Sequence, residues 1–498
     1  MTSIIVLFCV ILITVVVVQI GKVYELTNAI KGEQQVLRDN SKWNGWFSLG
    51  FMVVFLVGVV WSAWDYKNVM LGYGPHESAS EHGILLDDLF DITLLLTGIV
   101  FVLTHIALFW FSYKYRYQEG RKAQFIPHDN RLEIWWTAIP AVVMTILVVR
   151  GLNAWNTVMA DVKEGEDYME IEATAQQFGW TIRYPGADGK IGTRDYKKTT
   201  GANTLGMDFT DPKTWDDLIP GQEFYFPVGK KIRVRILAKD VLHNFDLPQF
   251  RVKMDAVPGL PTYFVFTPTK TTADYRNELR KYPEYNQPFD PAEPTGPKRW
   301  EKFDYELACA ELCGKGHYSM RRVLKIVSQE EYDAWLKQQK PFYLSEIRGK
   351  EEDPNKDKVL DIEVRERAKE FGDNLKKAVE SSVATDKTLT LNHISFETGS
   401  ATLTTNSKYE LDNLVNGLTN YPAINIEVAG HTDNVGEPAA NLALSASSAA
   451  SVAKYLTDRG ISAARLSPRG YGDAKPLAPN DTPENRAKNR RTEFTILN

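Results

Sequence analysis

Four stretches of the chain carry almost nothing but apolar side chains. Ile4–Ile20 is nearly all aliphatic, and Trp46–Trp64, Ile92–Phe111 and Ile134–Val149 hold no Asp, Glu, Lys or Arg. At 1.5 Å rise per residue, about 19 such residues span roughly 28 Å, close to the hydrocarbon thickness of a bilayer. Flanking residues complete the two shorter runs, and Trp stands at the ends of three of them, as in interfacial belts. The pattern predicts four membrane-spanning helices. The first run lacks a basic segment before it and a small-x-small site after it, so it reads as a retained helix rather than a cleaved signal. His105 within the third run reads as a helix–helix hydrogen-bonding group rather than a ligand.

The connections differ in charge. Lys22, Lys31, Arg38 and Lys42 lie between the first two runs, and Lys114, Arg116, Arg121, Lys122 and Arg131 between the last two. The middle connection has Lys67 among Glu77, Glu81, Asp87 and Asp88. Cationic loops stay in the cytoplasm, so the first and third connections are placed inside. The N-terminus and everything after about Gly151 then lie outside.

From Tyr168 the period changes to two. Tyr168–Ala175, Trp180–Tyr184, Ile232–Leu237, Tyr263–Thr267 and Arg322–Val327 read as strands of a small β-barrel or sandwich without strong helices. Residues 328–387 are charged, with a helical period over Val359–Val379, and read as a tether that contains one or two helices. Beyond it, strands at Leu389–Phe396, Ile424–Ala429, Arg465–Arg469 and Arg491–Leu497 surround helices at about Asn406–Leu418 and Asn441–Arg459, an α+β pattern.

Averaged over 498 residues this unevenness disappears: Lys+Arg 58 against Asp+Glu 63, net charge −5, 44% hydrophobic. The balance excludes a nucleic-acid binder. Three cysteines exclude a disulfide scaffold and a four-Cys zinc site, and no Cys-x-x-Cys-His occurs, so no haem is attached covalently. Two segments concentrate soft donors. Cys309, Cys313, His317 and Met320 fall within twelve residues, and His243 lies upstream in Val241-Leu-His-Asn-Phe-Asp-Leu-Pro. Thiolates, imidazoles and a thioether favour copper over Mg, Ca or Mn. Zinc would accept Cys2His2 but has no use for the thioether, and an oxidising compartment would permit a disulfide. A mononuclear blue-copper site needs one Cys, whereas the second, four residues on, allows two thiolates to bridge two metals.

Cys-x-Glu-x-x-Cys-x-x-x-His-x-x-Met, after His-x-Phe-x-x-Pro and Val252-Lys-Met-Asp-Ala-Val-Pro-Gly259, resembles the dinuclear copper (CuA) site of cytochrome c oxidase subunit II, over about Leu89 to Ser328. The resemblance implies a cupredoxin-like barrel outside the membrane on two anchor helices. It implies that electrons come from a c-type cytochrome, or a cytochrome domain of an upstream quinol-oxidising complex, and pass to haem in subunit I, with subunit III beside it. Carried over, Cys309 and Cys313 bridge the coppers, His243 and His317 bind one each, Met320 binds weakly, and Glu311 binds through its carbonyl. The Glu311 carboxylate would reach a magnesium ion at the subunit boundary. Glu133-Ile-Trp-Trp-Thr-Ala-Ile-Pro140 resembles the segment whose Glu lies at the mouth of a proton path, which makes Glu133 the candidate. Three features depart from the family. Phe178 replaces the Trp at which electrons arrive, about Thr271–Phe303 is inserted as a long polar loop, and the first two helices are extra.

The tail resembles the OmpA-like peptidoglycan-binding domain, on Phe396-Glu-Thr-Gly-Ser-Ala, Gly430-His-Thr-Asp-Asn-Val-Gly436, Asn441-x-x-Leu-Ser445, Arg469-Gly-Tyr-Gly472 and Asn489-Arg-Arg491. In that family an Asp takes the ammonium of the wall peptide's diaminopimelate and an Arg takes its carboxylate. Asp433 stands at the first position, but Ser448 stands at the second and cannot replace a bidentate charged clamp.

The expected organisation is therefore multidomain: residues 1–65 two extra helices, 66–152 a two-helix anchor, 153–330 the cupredoxin-like domain with an insertion at 271–303, 331–387 a charged, partly helical linker, and 388–498 the OmpA-like α+β domain. The expected place is a Gram-negative cytoplasmic membrane, crossed several times, with the soluble domains in the periplasm. A structural wall anchor with a vestigial copper domain is the alternative; the complete ligand set argues against it. A quinol oxidase subunit would lack the ligands, and nitrous oxide reductase needs a propeller for which the chain has no room.

Overall fold

The computed structural model describes residues 2–68, 78–356, 358–396, 400–404 and 406–497. Glu77 of the middle connection and Glu397, Thr398 and Gly399 of the Phe396 motif lie outside the described residues. The chain divides into two compact units, 1–191 with 218–340, and 192–217 with 341–498.

The first unit begins with helices α1 (Thr2–Lys31), α2 (Glu33–Tyr66), α3 (Glu81–Lys114) and α4 (Asn130–Val158). All four are long and apolar enough to cross a membrane. Gly32 separates the first two with φ 80°, a left-handed turn that glycine adopts at no steric cost. Side chains cap the other two: Ser80 accepts from Gly83 N–H, and Asp129 accepts from Arg131 and Leu132 N–H. Aromatic contacts join α2 to α3, with Trp46 against Tyr113 at 5.0 Å and Phe51 against Phe109 at 5.5 Å. His105 departs from expectation. Its Nδ1 lies 2.7 Å from the carbonyl of Phe101, one turn back on its own helix, so the ring satisfies itself locally. Its face stacks on Phe55 of α2 instead of hydrogen-bonding across.

Among the described residues nine strands follow: β1 (Met169–Gln176), β2 (Gly179–Arg183), β3 (Glu223–Pro227), β4 (Ile232–Ala238), β5 (His243–Leu247), β6 (Val252–Ala256), β7 (Thr262–Phe266), β8 (Tyr305–Cys309) and β9 (Arg322–Val327). They form sheets of order β2-β1-β4-β7 and β3-β9-β8-β5-β6. Ile232, Val234 and Ile236 point inward while Arg233 and Arg235 point out, the alternation of a half-buried strand. Ile171, Ala173, Phe224, Phe226, Phe245 and Leu324 complete a closed core between the sheets. This is the expected cupredoxin-like architecture.

Two helices join that core, contrary to the reading of the sequence. Helix α5 (Thr272–Leu279) opens the 271–303 insertion with a reciprocal capping box between Thr271 and Asp274. It buries Tyr275 and Leu279, and Tyr275 sits 5.1 Å from the Tyr305 ring of β8. The insertion is therefore not a plain polar loop, because its apolar positions three to four apart face the barrel. Helix α6 (Gln329–Leu336), capped by Ser328 and Glu331, lays Trp335 over Tyr225 at 4.7 Å. The start of the expected tether thus belongs to the barrel.

A strap of backbone bonds fixes the barrel to α3. Ala79 N–H donates to Gln249 O, Thr269 N–H to Ala79 O and Glu81 N–H to Thr267 O, at 2.8, 2.8 and 3.1 Å. Beside it, Arg251 binds Asp87 with Nε–Oδ1 2.7 Å and Nη2–Oδ2 3.1 Å.

In the second unit, α7 (Asp361–Glu380) precedes β10 (Thr388–Thr390), α8 (Ser407–Asn420), β11 (Ile426–Gly430), α9 (Pro438–Asp458), β12 (Leu466–Gly470), α10 (Pro483–Asn489) and β13 (Thr492–Ile496). The sheet runs β10-β13-β11-β12. Phe371, Leu375 and Ala378 of α7 enter one core with Leu411, Leu414, Val428 and Phe494. The helical part of the expected tether is thus an integral layer of the tail. Residues 192–217 fold with 341–355: Phe209 meets Tyr343 at 5.1 Å, and Asn355 Nδ2 donates to Phe209 O at 2.9 Å.

Candidate metal centre

Strands β5 and β8 are antiparallel neighbours, with Phe245 opposite Cys309. That register brings His243, at the start of one, next to Cys309, at the end of the other. The chain then loops through Glu311 and Cys313, makes a short 3-10 turn at His317–Ser319, and returns as β9 after Met320. One run of donors becomes a cluster because both of its ends are strands of one sheet.

The distances trace a continuous chain of donors. His243 Nδ1 lies 3.8 Å from Cys309 Sγ, which lies 3.3 Å from the Glu311 carbonyl and 3.9 Å from Cys313 Sγ. Cys313 Sγ in turn lies 3.6 Å from His317 Nδ1 and 3.4 Å from Met320 Sδ. A metal about 2.3 Å from two thiolates in roughly tetrahedral geometry holds them about 3.8 Å apart, and a thiolate and an imidazole nitrogen about 3.5 Å apart. The observed spacings would suit metal held by both sulfurs with an imidazole beside each. The donor atoms of His243, Cys309 and Cys313 all lie within 4.8 Å of one another. All six residues anticipated as ligands therefore meet here.

Around them lie residues that sequence reasoning missed. Asp240 Oδ1 is 2.9 Å from His243 Nε2. A proton on Nε2 satisfies that bond and leaves the Nδ1 lone pair facing Cys309, the tautomer that a ligand needs. Burial pushes the Asp240 carboxyl up, but hydrogen bonds from His243 and from the Gln177 and Val241 N–H groups outweigh it and hold the group below its ordinary value. Burial, and then the neighbouring Cys309, push the Cys313 thiol up to about 11; metal binding must displace that proton. Gln177 Nε2 donates to Cys313 O at 2.6 Å. A Cβ on Gly316 would stand 2.5 Å from the Phe178 ring, so only glycine admits the ring onto the ligand loop. Phe178 remains 42% exposed, and Leu312 and Tyr318 are also exposed.

The other anticipated residues lie elsewhere. Glu133 sits in the first turn of α4, where its carboxylate accepts from Asp129 N–H at 3.4 Å. Asp433 follows β11 and is paired with Arg490, Nη1 to Oδ2 2.5 Å. Ser448 is buried on α9. The spacing of Asn489-Arg-Arg491 gave no sign that Arg490 would reach Asp433.

Comparison with known proteins finds two families along the chain. The family description "Cytochrome C oxidase subunit II, transmembrane domain" matches residues 69–153, "Cytochrome C oxidase subunit II, periplasmic domain" matches 169–276, and "OmpA family" matches 395–490. The periplasmic match ends before the ligand loop, within the insertion. The alternative cytochrome c oxidase subunit 2 of Bradyrhizobium diazoefficiens is 33% identical over 261 residues, covering 52% of this chain and 81% of that protein. The crystal structure of the periplasmic domain of subunit II of cytochrome oxidase from Bradyrhizobium japonicum is 25% identical, covering 35% of this chain and 95% of that one, with a TM-score of 0.22. Outer membrane porin F of Pseudomonas fluorescens is 38% identical over 103 residues, covering 21% of this chain and 32% of that protein.

Proposed function

Since the chain belongs to the cytochrome c oxidase subunit II family, we propose that it takes electrons from a c-type cytochrome at a dinuclear copper centre and delivers them to haem in subunit I. The carrying observation is the single linked cluster of His243, Cys309, Glu311 O, Cys313, His317 and Met320, with spacings that suit bridging thiolates. When bound, the copper pair supplies a one-electron carrier whose charge is shared by both metals. The protein's part is rigidity. Two paired strands hold His243 and Cys309, Asp240 fixes the imidazole, and buried Met320 closes the inner side. Donor positions that do not move keep the cost of changing charge small.

Phe178 offers the donor an exposed aromatic edge that touches the ligand loop, and the Gln177 bond to Cys313 O runs from the next residue. The barrel spans 153–330 in this reading, on the anchor 66–152, and the extra helices 1–65 meet other subunits, subunit III among the candidates. Glu133 lies at the cytoplasmic edge and would capture protons. The Glu311 side chain is the candidate for magnesium. The test is copper content and donor oxidation by the purified oxidase. Two coppers per chain and loss of cytochrome oxidation in Cys309→Ser support the reading; Phe178→Ala should slow only the donor reaction. A Cys309→Ser oxidase that oxidises cytochrome normally would sink it.

A second reading concerns the tail, with the charged stretch within 331–387 leading to it and the α+β domain at 388–498. Arg490 brings to Asp433 the guanidinium that position 448 lacks, so a zwitterionic diaminopimelate end would find both charges. Retention on diaminopimelate-type peptidoglycan should be lost in Arg490→Ala. Equal retention would show that the pair only braces the fold.

A further inference from the structure

Helices α2 and α3 enclose a cavity of about 500 Å³ at one end of the membrane bundle. The barrel is strapped to the start of α3, so this far end, around Ser112–Tyr117, is the cytoplasmic one. The α2 wall is a polar stripe, Asn40, Ser41, Asn44 and Ser48, spaced to share one helix face, and α3 supplies Ser112 and Arg116. Arg116 is fitted into place. A Cβ on Gly45 would stand 2.9 Å from its Cδ, so glycine opens the notch in which the stem lies. The guanidinium sits 4.4 Å from the centre of the Tyr113 ring, and Nη1 donates to Tyr113 O at 2.8 Å. That uses one of five N–H donors. Among the described residues Arg116 makes no ion pair: Glu119, close by in sequence, is held by Arg38 at 2.8 Å, and Asp39 by Lys31 at 3.1 Å. Segments 22–48 and 112–133 are described throughout and hold nine Lys or Arg against six Asp or Glu. The surplus is positive with every acid counted.

We propose that this cavity seats the phosphate of an anionic phospholipid of the inner leaflet. Depth points to a lipid. The apolar run of α3 ends at Phe111, and Arg116 lies five residues on, about 7 Å further along the axis, which is headgroup level. On α2 the uncharged run begins at Trp46, so Ser48 lies just inside the hydrocarbon edge and Asn40 outside it. One end of the cavity therefore faces acyl chains and the other the headgroup zone. Charge then selects the lipid. Basic pockets between membrane helices on the cytoplasmic side favour anionic headgroups. A zwitterionic headgroup would bring an ammonium into the same positive field. Arg116 presents its remaining N–H donors to a phosphate oxygen, and the amides of Asn40 and Asn44 can bond a polar headgroup. The subunit II match begins at residue 69, so the α2 wall lies outside it and belongs to what is particular to this chain.

The test adds phosphatidylglycerol or phosphatidylcholine to the full-length chain in detergent and counts bound lipid by native mass spectrometry. Phosphatidylglycerol should bind in preference, and soluble glycerol 3-phosphate at equal concentration should not displace it. Arg116→Gln should weaken phosphatidylglycerol binding about tenfold, because charge-assisted bonds go. Arg121→Gln removes the same charge outside the cavity wall and should leave binding unchanged. Gly45→Ala keeps every charge but closes the notch under Arg116, so it should also weaken binding, and it carries the test if Arg116→Gln does not fold. Loss in Arg116→Gln or Gly45→Ala with Arg121→Gln unaffected upholds the proposal. Equal loss in Arg121→Gln would reveal a diffuse basic surface, and displacement by glycerol 3-phosphate a site for a soluble ligand. Either result, or equal binding of phosphatidylcholine, overturns it.

Discussion

At the scale of single residues, the cluster of candidate ligands was readable because its donor atoms stand at short spacing, and five of the six residues fall between Cys309 and Met320. Their supports were not. Asp240, Gln177 and Arg490 act through contacts made only after strands pair, and nothing in their local sequence announces it. Asp240 gives a direct check. Removing the acceptor that orients a metal-bound imidazole typically costs 10–100-fold in metal affinity, roughly. Asp240→Ala should therefore lower copper retention against a chelator by about that factor, with the barrel still folded. Unchanged retention would mean that Trp180, 6.3 Å from His243, is enough to hold the ring.

At the scale of elements, period alone found the four long apolar helices and, in the barrel, β1, β2, β4, β7 and β9, but it did not mark β3, β5, β6 or β8. It missed what depends on burial. The 271–303 insertion looked polar, yet Tyr275 and Leu279 seat α5 in the barrel core. The period over Val359–Val379 was visible, but not the surface it would cover. Leu375 answers that point. It is 1% exposed, and a Cβ on Gly417 of α8 would stand 2.4 Å from its Cδ2, so the helices touch closely. Leu375→Ala should destabilise the tail by about 2–5 kcal/mol in chemical unfolding. A free tether helix would give no change.

At the scale of the molecule, the order of the chain predicts beads on a string: membrane helices, barrel, linker, tail. The contacts rearrange this. Residues 192–217 leave the barrel between β2 and β3, fold with 341–355, and return. Tyr184 and Leu218 close the base of that excursion by exchanging backbone bonds at 2.9 and 3.1 Å. No hydrophobic period marks it, because its buried Phe209 meets Tyr343, well over a hundred positions away.

The chain therefore passes between the units at 191/192, 217/218 and 340/341, where a tether would pass once. Such a connection behaves as a loop through an eyelet. A protease that cuts only near residue 340 should nick the protein without freeing its tail, since 192–217 stays embedded in it. The fragments should co-elute under native conditions and separate in denaturant. Elution of a free tail would show that the excursion does not hold. Any pull on the tail would likewise be divided among three strands of backbone, all of which emerge from the unit that carries the candidate metal centre.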